Sequence, residues 1–94
     1  MQLSITPLAA QDLEEIGDYI AQDNPSRAVE FLNELQAHCE IIRRNPGGYR
    51  HRPEFSKKMR SCAHGQYVIF FESDVNEVTV IRVLHGARDL QALL

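Results

Sequence analysis

The stretch "QYVIFFE", Gln66 to Glu72, constrains this chain more than any other. A strand with one wet face alternates apolar and polar residues. This one does not: Tyr67, Ile69 and Phe71 point one way, Val68 and Phe70 the other. Both of its faces need cover. The β-branched run "VTVIRVLH" follows after the turn "SDVNE", so the two strands are expected to pair as an antiparallel hairpin. The chain has 94 residues, which suits one domain spanning residues 1–94. A domain of that size buries roughly two thirds of the surface its unfolded chain exposes. It has little material with which to cover a two-sided sheet. The cover for the second face is either the terminal "LQALL" or another protein, and surplus apolar sheet surface is the physical argument for a partner.

The first face has an evident cover. "MQLSIT" alternates and predicts a short strand. Thr6 then caps a helix that Pro7 opens, where a missing N–H costs nothing. Ala9, Leu13, Ile16 and Ile20 mark its apolar face, with Asp12, Glu15 and Asp18 expected to turn away. Asn24 and Pro25 repeat the device for a second helix with the apolar line Ala28, Leu32, Leu35, Cys39 and Ile42. Arg43 and Arg44 lie in its last turn, where cations suit the helix dipole, and "NPGG" stops it. The break at "QDNP" is short enough to force an antiparallel helical hairpin. "YRHRPEFSKK" has no period and predicts a loop; "KMRSCA" predicts a strand; "ARDLQALL" predicts a short helical turn. The order β-α-α-β-β-β, with a possible short C-terminal helix, gives an α+β domain: a helical hairpin on one face of a mainly antiparallel sheet.

Composition narrows the function classes. No segment approaches the ~20 apolar residues of a membrane span, and no basic-then-apolar leader opens the chain, so a soluble cytoplasmic protein is expected. Cys39 and Cys62 are expected as reduced, buried thiols. The spacing of two cysteines and four histidines predicts neither a metal site nor a cofactor. The net charge of −3 conceals a division. Residues 1–42 carry eight acids and one base, for −7; residues 43–60 carry seven bases and one acid, for +6. The basic middle segment suits an anionic partner or balances the acidic helices.

Motifs for chemistry are sparse. The acids lie mostly at solvated helix positions rather than in converging pairs. No serine sits in a nucleophile elbow, and no glycine-rich phosphate loop is present. Arg60, His85 and Arg88 would form a metal-independent RNA-cleaving set if they gathered at one end of the sheet, with cations on the phosphate and histidine moving a proton. His85 beside Gly86 equally suits a strand terminator. Arg82 interrupts "VTVIRVL" on the strand side assigned to Val80 and Leu84, and there it needs a partner. Asp89 is the expected one, through a guanidinium–carboxylate fork. The alternative is that Arg82 opens into a groove and binds an anion.

"RSCAHGQYVIFFE" followed by "VTVIRVLHGARDLQALL" resembles the ParE branch of the RelE/ParE toxins of type II toxin–antitoxin pairs. So do the hairpin "TPLAAQDLEEIGDYIAQDNPSRAVEFLNEL" and the loop "NPGGYR". The likeness spans nearly the whole chain, and "RVLHGARD" is its most specific part. It implies a growth-inhibiting toxin without enzymatic activity, acting on DNA gyrase and needing no cofactor. It also implies a ParD-like antitoxin whose disordered C-terminal part folds along the toxin. Arg60, Arg82, His85 and Arg88 are the expected target-binding residues; Val68, Phe70, Leu90 and Leu93 are the expected antitoxin-binding ones. No sequence-specific nucleic-acid binding by the toxin alone is expected. The alternative is a ribosome-dependent messenger-RNA endoribonuclease of RelE type using Arg60, His85 and Arg88. The absence of any tyrosine after Tyr67 counts against it, as does the acidic overall charge. Cys62 stands where an aromatic residue is common in the branch, which bears on packing near Arg60. A third reading keeps the fold only as a binding module.

Overall fold

The computed structural model describes all 94 residues. Strand β1 (Gln2–Ile5) leads into helices α1 (Pro7–Ala21) and α2 (Pro25–Arg44). A 3-10 turn (Pro46–Gly48) follows, then strands β2 (Arg50–His51), β3 (Arg60–His64), β4 (Tyr67–Ser73) and β5 (Glu77–His85), and the short helix α3 (Leu90–Leu93). The five strands lie in the order β1-β5-β4-β3-β2. All neighbours are antiparallel except β1 and β5, which run parallel. The helical hairpin therefore lies in the crossover between β1 and the rest of the sheet. The expected α+β architecture is what the chain adopts, with one addition. "RH", Arg50–His51, supplies the edge strand β2, too short to show a period in the sequence.

Both helices start as their caps dictate. Thr6 Oγ1 accepts from the Ala9 N–H at 3.0 Å, and Asn24 Oδ1 accepts from the Arg27 N–H at 3.1 Å. Gly17 lets the helices approach closely, since a Cβ there would lie 2.9 Å from Leu32 Cδ1. The two-residue turn Gly65–Gln66 joins β3 to β4, and Gly65 takes the left-handed conformation it needs, φ +59°.

The sheet is two-sided, as "YVIFF" requires. On the helix side Ile69, Phe71, Val78, Val80 and Val83 pack against Ala9, Ile16, Leu35, Cys39 and Ile42. On the other side Met59, Phe70 and Leu84 form a second cluster. Its cover comes from the chain itself: Phe55 from the loop before β3, and Leu90, Leu93 and Leu94 from the C-terminal segment. Phe55 meets Phe70 edge-on at 5.4 Å, and the Arg52 guanidinium lies over both rings. Phe70 has no exposed surface at all. This corrects the expectation of uncovered sheet behind "YVIFF": the tail and loop seal its centre.

A β-bulge corrects the reading of Arg82. Phe70 opposes Arg82 while Phe71 opposes Val80, so Ile81 is the extra residue. The side-chain alternation resets there. Val80 stays on the helix side, whereas Arg82 starts from the side of Phe70 and Leu84.

Candidate functional site

The site is built where β1 ends and β5 continues. β1 pairs with β5 only as far as Val80, so the outer edge of β5 beyond it has backbone groups in need of partners. The start of α1 supplies them. The Thr6 hydroxyl donates to the Ile81 carbonyl at 2.7 Å, and the Asp12 carboxylate accepts from the Val83 N–H at 3.0 Å. The same carboxylate takes a fork from Arg82, Nε to Oδ2 at 2.7 Å and Nη2 to Oδ1 at 2.9 Å. Arg82 also donates from Nη1 to the Leu93 carbonyl at 3.3 Å, which ties the tail to the sheet. The Asp12 hydrogen bond raises the Arg82 pKa further above its already basic value.

Two expectations fall here. Asp12 does not turn to solvent but is buried, 5% exposed. Asp89 is not the partner of Arg82; it is exposed and caps α3 by accepting from the Ala92 N–H at 3.4 Å. The helical spacing gave Asp12 the same status as Glu15 and Asp18, because period alone cannot show that a strand edge needs a carboxylate. The signal that was available is Arg82, a lone cation in an apolar strand.

The end of β5 holds the rest. A cleft of about 150 Å³ opens between α1 and the ends of β4 and β5, with Glu15, Tyr19, Tyr67, His85 and Arg88 among its walls. Both nitrogens of His85 are engaged. Nδ1 accepts from the Ala87 N–H at 3.1 Å, which leaves the proton on Nε2 to meet Gln66 Oε1 at 3.2 Å. The ring stands edge-on to Tyr67 at 5.3 Å. His85 is thus a strand terminator in geometry. Burial, and Tyr19 after it, raises the Tyr67 pKa, so the phenol stays protonated at neutral pH. Arg88 is exposed and takes part in none of the chain's ion pairs. Arg60 does not join this end. It opposes Phe71 on β3, whereas His85 opposes Tyr67 and, across it, His64. Its guanidinium instead donates to the Tyr49 carbonyl at 2.8 Å. The expected gathering of Arg60, His85 and Arg88 is therefore broken by strand register.

Of the expected antitoxin contacts, Val68, Leu90 and Leu93 are half-buried around the rim of the second cluster, and Phe70 lies sealed beneath it. A different apolar surface is open. A groove of about 310 Å³ runs between β1 and the helical hairpin, lined by Leu3, Ile5, Leu13, Leu32, Leu35 and Cys39, with Val83 and Gln36. Ile5 at its border is 44% exposed, and the outer edge of β1 has no strand partner.

The comparisons with known proteins agree with this fold. The family model described as "ParE toxin of type II toxin-antitoxin system, parDE" matches residues 3–90. Toxin ParE1 of Caulobacter vibrioides (strain ATCC 19089 / CIP 103742 / CB 15) is 34% identical over 87 residues, covering 92% of this chain and 90% of that protein. A solved chain described as "Chromosomal ParDE TA system from P. aeruginosa" superposes with a TM-score of 0.77 over 90% of this chain and 95% of its own, at 20% identity, a likeness of fold. With a family match across nearly its whole length and a third of its residues shared with a curated toxin, the chain belongs to the ParE toxin family of type II toxin–antitoxin systems.

Proposed function

We propose that this toxin stops growth by binding DNA gyrase in the cytoplasm, without catalysing a reaction, and that a ParD-like antitoxin holds it inactive. The observation that carries the antitoxin half is the open groove between β1 and the helices. Its lining is almost wholly apolar and lies beside an unpaired strand edge. A disordered segment that folds on binding can place apolar anchors there. The half-exposed rim at Val68, Leu90 and Leu93 extends the surface it could cover, while Phe70 becomes accessible only if the tail lifts.

Gyrase as the target rests on the family resemblance. The turn after β5 is the expected contact, with Arg88 as its free cation and Arg82 behind it fixing the tail. Support for a non-enzymatic action comes from His85, whose two ring nitrogens are both in use, and from the separation of Arg60 from Arg88's end of the sheet. An endoribonuclease of RelE type would need a free acid–base pair beside the cations.

A DNA supercoiling assay run beside a cell-free translation assay tests the target. Loss of supercoiling with translation intact is the expected result. Arrest of translation with gyrase unaffected would overturn the reading. For the antitoxin, Ile5→Glu and Gln36→Arg, at exposed positions of the groove wall, should weaken binding to the small protein encoded beside this gene at least tenfold, with circular dichroism unchanged. Full affinity in both variants would refute the groove.

A further inference from the structure

Helix α2 and strand β3 bring together three side chains that toxin function leaves unused. His38 is on α2, and Cys62 and His64 stand two apart on β3, hence on one sheet face. The His38 ring lies lengthwise between the other two. Its Nε2 is 3.1 Å from Cys62 Sγ, and its Nδ1 is 2.8 Å from His64 Nδ1. The two contacts use opposite nitrogens of one imidazole. That is the order of a thiol, a base and the group that orients the base. The other acceptor near the thiol, the Ala63 carbonyl, is more distant at 3.6 Å. Cys62 is half-buried at the margin of the helix-side core, and Ala63 beside it is exposed, so a small molecule can reach the sulfur.

We propose that Cys62 is a modification site for small-molecule disulfides, with His38 as the base that takes its proton and His64 as the positioning residue behind that base. The thiol proton passes to His38 Nε2 as Sγ attacks one sulfur of the disulfide. A new S–S bond forms to Cys62 and the old one breaks. The departing sulfur keeps that bond's electron pair and takes the proton from His38. A thiol leaves and a mixed disulfide stays. His64 Nδ1 accepts from His38 Nδ1–H throughout. That bond fixes the tautomer that leaves Nε2 free, and it supports the imidazolium that forms. Burial raises the Cys62 thiol, so little free thiolate is present at neutral pH and the base is needed. A sulfur of high pKa is also the stronger nucleophile once its proton has left. Burial, and His64 after it, lowers the His38 pKa, so the ring is neutral at pH 7, as a base must be. Glu34, held by Arg27, also stands around the cluster with Cys39 and Tyr49, and none of these titrates between pH 5 and 8 as an imidazole does.

The test follows the reaction of the reduced, full-length chain with hydroxyethyl disulfide, an uncharged probe, by mass spectrometry between pH 5 and 8. The expected result is a single adduct on Cys62, reversed by excess dithiothreitol. Its rate should rise with pH through the His38 titration, below 6.5, and then level off across neutrality. H38Q, checked for fold by circular dichroism, should react roughly tenfold or more slowly at pH 7 and show no levelling. H64L should also be slower, and H64N, whose Oδ1 can stand in for Nδ1, should regain most of the rate. H51Q, which alters an exposed histidine on β2, should react as the parent does. An adduct that forms first on Cys39, a parent rate that climbs without levelling, or a parent-like rate in H38Q or H64L would each overturn the assignment. The parent's own profile is decisive where a variant misfolds.

Discussion

Asp12→Ala is the substitution from which most can be learned. The Asp12 carboxylate is 5% exposed and accepts three hydrogen bonds, two from Arg82 and one from the Val83 backbone. Truncation leaves a guanidinium with 14% of its side-chain surface in water and a buried N–H without an acceptor. Breaking one side of a buried ion pair costs about 3–5 kcal/mol. Arg82 keeps its bond to the Leu93 carbonyl and some access to solvent, so the low end, ~3 kcal/mol, applies to the pair. The orphaned N–H adds about 1 kcal/mol. A loss of ~4 kcal/mol is a large share of the 5–15 kcal/mol that holds a domain together. Tm should fall by roughly 15–30 °C. Asp12→Asn, which keeps an acceptor for Val83, should lose about half as much. The double variant D12L/R82M should recover much of the stability, since no charge is then left buried. The assay is urea denaturation of these chains and of the single variants D12L and R82M, which close a double-mutant cycle on the pair. If D12A lies within ~0.5 kcal/mol of the parent, or the coupling energy is near zero, the carboxylate does not hold the edge of β5 and the reasoning fails.

Four further outcomes are expected. The His38 pKa lies below the usual 6.5 in the fold, so the unfolded chain binds the extra proton first; stability should be full above about pH 6.5 and decline as pH falls below it, and H38Q should flatten that slope in urea titrations between pH 7 and 5. Burial pushes the Cys39 thiol up to about 11, so iodoacetamide at neutral pH should label half-buried Cys62 first and Cys39 only on unfolding, as read by mass spectrometry. Gly65→Ala forces a side chain to adopt φ +59° and should cost ~1 kcal/mol, whereas Gly47→Ala, with nothing within 4 Å of its new Cβ, should be near neutral. Arg88→Ala removes an exposed, unpaired cation, so growth inhibition should weaken with Tm unchanged; full toxicity would take Arg88 out of the target surface.

The parts legible in the sequence are those set by local rules. Thr6-Pro7 and Asn24-Pro25 start both helices where the caps say. The alternation of Tyr67 to Phe71 assigns each side chain to the face it occupies. The site was legible only in outline. His85 and Arg88 share the end of β5, but Arg60 is removed from them by the register of β3 against β4. The bulge at Ile81 parted Arg82 and Leu84 from the side of Val80, and a single inserted residue carries no signature among β-branched neighbours. Asp12 and His38 had roles that depend on what lies opposite them, seventy and twenty-six residues away.

By itself the sequence determined the elements, their order and the two-sided character of the sheet, because periodicity, capping and turn chemistry act within a few residues. Only the tertiary structure decided which carboxylate meets Arg82, which side chains cover Phe70, and which apolar surface stays open. Those outcomes depend on strand register and on where the tail folds back, and both are settled by competition among distant parts of the chain for the same buried space.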